Sequence, residues 1–112
     1  MAATIVSQSN SESVVNLAVL RVTTDAAAAV ATTFQVGFLP LVVRLANITD
    51  SLLDEWFDGM AADTAVHTTA LGVRSLLASW GITVSGATGG GSVAVAAALI
   101  IASKTFNLIV EG

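Results

Sequence analysis

The residues best equipped for chemistry in this 112-residue chain are a single histidine, His67, and an acidic run of Asp50, Asp54, Glu55, Asp58 and Asp63. Closely spaced carboxylates are the oxygen ligands of a hard cation such as calcium, yet these do not follow the EF-hand spacing and serve equally well as a solvated face. A zinc site would need at least two of them to complete one histidine, because the chain has no cysteine. Asp54 and Asp58 form a carboxylate pair of the kind that does acid and base work in glycosidases, but no substrate cleft is recognisable around them.

The other candidate motifs are weaker. Residues 86–92, with Gly86, Gly89, Gly90 and Gly91, lack the lysine of a phosphate-binding loop and precede no clear helix, so they read as a mobile connection. Asn47-Ile48-Thr49 matches the N-glycosylation pattern, but reads as a turn after a strand. No Gly-x-Ser-x-Gly elbow occurs. The expectation is a non-enzymatic protein with no catalytic residues, no metal and no cofactor.

Composition points elsewhere. Hydrophobic residues make up 54% of the chain and charged residues 11%, against about 25% charged in ordinary soluble domains. Four basic and eight acidic side chains cannot cover the surface that a domain of this size leaves exposed. Copies of the chain itself, or a larger assembly, are expected to cover the rest.

The net charge of −4 and the wide separation of Arg21, Arg44, Arg74 and Lys104 argue against a nucleic-acid partner. No export signal is expected, since the first twenty residues hold no Lys or Arg and run through a polar stretch. The uninterrupted apolar run at residues 93–102 is far shorter than the roughly 20 residues of a spanning helix, so no membrane partner is expected.

These residues must be positioned by extended segments. Residues 1–13 are small and polar and read as an N-terminal arm held by a neighbouring subunit, with residues 14–112 as one domain. Residues 14–24 alternate as a strand, residues 26–31 have weak helical propensity with a strand starting near Val30, and residues 41–49 form the clearest strand, ending in a turn at Asn47, Thr49 and Asp50. Leu52, Leu53, Trp56, Phe57 and Met60 recur at helical spacing, as do Val73, Leu76, Leu77 and Trp80 before Gly81, so local pattern offers helix in both places. Residues 82–84 read as a short strand. Residues 93–102 and 106–110 read as a terminal hairpin.

The series Phe34, Gly37-Phe38, Pro40, Val43 and Asn47, then Trp56, Gly59-Met60, Gly72 and Gly81-Ile82-Thr83-Val84, ends in a short apolar strand. It resembles small virion proteins of tailed bacteriophages, most of all capsid decoration (cement) proteins, over some 80 residues from about Thr33 onward. The resemblance implies a mainly β fold, an antiparallel β-sandwich of jelly-roll-like form with at most one short helix. In it Gly37, Pro40 and Gly81 shape turns and Phe38, Val43, Trp56 and Ile82 fill the core. It favours extension over helix at residues 52–60. The apolar residues around Gly72 depart from the more polar hairpin of similar proteins, and the Gly-rich loop is longer than expected.

The implied function is a homo-oligomer, dimer or trimer, that binds the major capsid protein on the outside of a phage head after assembly in the bacterial host cytoplasm. A tail or fibre attachment component that binds a partner protein or host glycan is the alternative. Met1, Ile5 and Val6 of the arm and Trp80 beside Gly81 are the expected interface residues.

Overall fold

The computed structural model describes residues 3–11, 16–86 and 90–112. Within them the chain is all-β: β1 (Ala3–Ser11), β2 (Leu17–Thr24), β3 (Thr32–Gln35), β4 (Val42–Asn47), β5 (Leu52–Phe57), β6 (Thr64–Thr68), β7 (Arg74–Ser85), β8 (Ser92–Val95) and β9 (Thr105–Glu111). They form one continuous sheet in the order β1, β2, β9, β4, β5, β6, β7, β8, β3, with every neighbouring pair antiparallel. The sheet curls into a half-barrel. Its two edge strands approach closely enough for Gln8 Nε2 on β1 to donate to the Gln35 carbonyl on β3 at 3.3 Å.

Strand alternation fixes what faces inward, because residues opposite one another in register share a face. Across β2, β9, β4 and β5 one inward row is Ala18, Val110, Val43 and Trp56. The next begins with Leu20, Leu108 and Leu45, and a third runs Val22, Phe106 and Asn47. The opposite wall is Ile82, Val84, Val93, Val95 and Phe34, from β7, β8 and β3. Burial of the larger aliphatic and aromatic side chains among these, each stabilising by roughly 1.5–3 kcal/mol, closes one core that Val36, Phe38, Leu99 and Ile100 complete from the connections. Phe38, Val43, Trp56 and Ile82 are all buried, as the resemblance implies.

Several local readings need correction. Both segments with helical spacing are strands, β5 and β7, and no helix occurs among the described residues. Residues 26–31 form no helix either, and the strand after them starts at Thr32. The terminal hairpin is absent: β8 stops at Val95 and pairs with β7 and β3, whereas β9 pairs with β2 and β4. After β8 the chain turns, with Leu99 N and Ile100 N donating to the Ala96 carbonyl at 3.0 and 3.3 Å. That turn tucks Leu99 and Ile100 into the core, which is why its sequence is as apolar as a strand.

The segment read as an arm contributes β1, which pairs with β2 of its own chain along its length, with one irregularity between Ile5 and Ser7. Met1, and residues 87–89 of the Gly-rich loop, lie outside the described residues.

Candidate functional site

β6 and the first part of β7 form a hairpin whose register is interrupted at one point. Thr64 and Ala65 are consecutive on β6, but they face Ile82 and Leu77 on β7, so Ala78, Ser79, Trp80 and Gly81 are looped out between them. Such a bulge re-aims a side chain. Here Asp63 holds it: Oδ2 accepts from Trp80 N at 3.2 Å and Oδ1 from Gly81 N at 3.1 Å, while Asp63 N donates to the Ile82 carbonyl at 3.0 Å. A Cβ on Gly81 would lie 2.4 Å from the Thr64 carbonyl carbon, so only glycine lets the bulge settle on β6.

Trp80 pays for this geometry with a left-handed backbone, φ 63°, which disfavours an L-residue by roughly 1–2 kcal/mol. Its side chain is 66% exposed, so little burial offsets the strain. Trp80→Gly is therefore expected to leave stability unchanged or raise it by up to about 1 kcal/mol, the relieved strain being partly offset by glycine's greater unfolded-state entropy. Thermal unfolding checks this, and a clear loss of stability would show that the indole packs as a structural element.

Trp80 lines two recesses. One, of about 270 Å³, is also lined by Ala31, Gly81, Thr83, Ala94, Val95 and Ala96. The other, of about 280 Å³, is lined by His67, Leu77, Ser79, Trp80, Ala98 and Leu99.

The second recess contains a pair that follows from the sheet register. The inward row Leu20, Leu108, Leu45 continues onto β5 and β6 as Asp54 and His67. The Asp54 side chain is almost fully buried and its Oδ1 lies 2.6 Å from His67 Nδ1. Burial pushes the Asp54 carboxyl above its ordinary value of 3.8, with the His67 hydrogen bond and charge opposing the shift.

A carboxyl whose folded-state pKa is raised binds its proton more tightly folded than unfolded, so this group favours folding most below its ordinary value. That contribution is lost as pH rises through the raised value. Asp54→Asn removes it, so the stability of wild type relative to this variant should fall as pH rises from the ordinary carboxyl value of 3.8 through the raised one. Denaturant midpoints of both proteins across that range measure the sign.

The rest of the acidic run is dispersed. Glu55 faces outward and is held by Arg44 Nε at 3.3 Å and Arg74 Nη2 at 3.1 Å, and Arg44 also reaches Glu111 at 2.8 Å. Asp50 pairs with Lys104 at 3.0 Å and accepts from Asn47 Nδ2 at 3.0 Å. Asn47 is buried and its Oδ1 accepts from Asp50 N, so the glycosylation-like triplet is a turn lock. Asp58 is exposed, and no group of three residues suited to a metal ion occurs among the described residues.

Of the expected interface residues, Ile5, Val6 and Trp80 are all exposed. Ile5 and Val6 sit on the edge strand β1, apart in sheet order from the hairpin that carries Trp80. Leu71, Val73 and Leu76 of that hairpin are exposed as well, in the apolar stretch around Gly72 where the sequence offers a short helix or an additional subunit contact. Comparison with protein-family models, with curated proteins and with solved structures returned no match for this chain.

Proposed function

We propose that the protein is a non-enzymatic structural component of a phage particle, a decoration or cement protein that binds the major capsid protein at the outer surface of the head and associates with copies of itself. The observation that carries this reading is the apolar hairpin: Leu71, Val73, Leu76 and Trp80 are 93%, 61%, 67% and 66% exposed. Single exposed apolar residues are common on soluble domains, but four along one hairpin support an interaction surface there. The jelly-roll-like sandwich implied by the resemblance belongs to the same proposal and rests on that resemblance.

Many copies on one shell would each bury modest area and together resist internal pressure by multivalent attachment. Light scattering of the purified protein, with a pull-down on expanded empty shells of tailed phages, tests the proposal. A discrete dimer or trimer that coats the shells is expected. A stable monomer that ignores them would favour the tail or fibre alternative, for which the recessed surfaces around an exposed tryptophan are the supporting observation.

A further inference from the structure

We infer that the recess lined by His67, Leu77, Ser79, Trp80, Ala98 and Leu99 is a binding site for a six-membered ring carrying a hydroxyl group, of the phenol type. The recess is open to solvent, and its volume of about 280 Å³ is room for one six-membered ring. Leu77, Trp80, Ala98 and Leu99 supply the apolar wall that a ring requires.

The polar end is set by the dyad. His67 Nδ1 is engaged by Asp54 Oδ1 at 2.6 Å, which leaves Nε2 as the ring's remaining polar atom. No hydrogen bond to Nε2 occurs among the described residues, and His67 lines the recess. A hydroxyl suits that nitrogen because it both donates and accepts, and Ser79, another lining residue, carries a second hydroxyl.

A carboxylate ligand is disfavoured by the buried Asp54 behind the imidazole and by the net charge of −4. The occupant cannot be a tyrosine from a second copy, because the chain contains none. The ring must come from a free small molecule or from a tyrosine of a different protein.

Phenol is the probe, followed by NMR at the His67 ring, whose signals are unambiguous because it is the only histidine, and at the Trp80 indole N–H. A single saturable isotherm with a Kd of about 1 mM is expected, in keeping with the small size of the probe. Anisole, with the same ring and no hydroxyl proton, should bind about tenfold more weakly, since the hydroxyl's contact with His67 is then lost. Ala98→Phe, at an exposed turn position, should fold normally and weaken phenol at least about tenfold by filling the recess.

N-acetyltyrosinamide separates the sources. Binding as tight as that of phenol identifies a partner's tyrosine, and exclusion of the larger probe identifies a free ligand. No saturable shift up to about 20 mM phenol, equal binding of anisole, or undiminished binding by Ala98→Phe would each overturn the inference.

Discussion

Gly91→Ala should lower stability by roughly 2–6 kcal/mol, enough to shift Tm by 10 °C or more or to prevent folding. A Cβ at this position would stand 1.7 Å from the Phe38 carbonyl oxygen and 2.2 Å from its carbon, and the backbone has φ 148°. The obstructing atoms are main chain and have no rotamer by which to retreat. The Gly91 carbonyl also accepts from Val36 N at 3.0 Å and Gly37 N at 3.2 Å.

Relief would thus require shifting the connection between β3 and β4, which carries the buried Val36 and Phe38 into the core. Overpacking costs about 1–3 kcal/mol and a forced backbone conformation a similar amount, against a total stability of about 5–15 kcal/mol for a domain. Gly59→Ala is the control: its φ is 96° but nothing lies within 4 Å of the added carbon, so strain alone operates, at about 1–2 kcal/mol. Thermal and urea unfolding of both variants measure the difference. Equal losses would show that the approach of Gly91 to Phe38 is not a constraint on the fold.

The strands legible in the sequence are those with one face on the core and one toward solvent. β2 and β4 show this alternation in their burial, and both were expected from it. β5 was not legible by periodicity because Asp54, Glu55 and Trp56 are all buried: Trp56 in the core, Asp54 beside it against His67, and Glu55 on the other face under two arginines. β7 failed for the opposite reason. From Arg74 to Trp80 nearly every side chain is exposed, so burial imposes no alternation there.

The His67 and Asp54 pairing lies a step deeper, since it needs the register of β5 on β6, which no local pattern contains. One signal was present. Asp54 has the same strand parity as Trp56, so reading residues 52–57 as extended places a carboxylate on the core face and requires a buried partner for it.

The strained Trp80 bears on the proposed function. Nothing in the packing of β7 requires an exposed indole at a left-handed position, and a small residue would satisfy the Asp63 clamp equally well through its backbone N–H. Strain without a structural return is the pattern expected where a side chain serves contact with another molecule.

The largest functional effect is expected from Leu71→Ser combined with Leu76→Ser and Trp80→Ser. All three side chains are mostly exposed, so each substitution should alter stability by no more than about 0.5 kcal/mol; serine keeps the Cβ, so the left-handed strain at position 80 is unchanged. If the hairpin is the attachment surface, each removes an anchor, and central aromatic or aliphatic anchors contribute about 2 kcal/mol or more apiece. Binding to expanded shells should then fall by at least about 100-fold, while circular dichroism and Tm stay close to wild type. Binding should also resist salt, because the hairpin's own charge is the single Arg74, already engaged by Glu55 at 3.1 Å. A variant that coats shells as well as wild type, or coating that disappears on raising salt from 50 to 500 mM, would move the contact away from the hairpin to the charged outer face around Arg44 and Glu111.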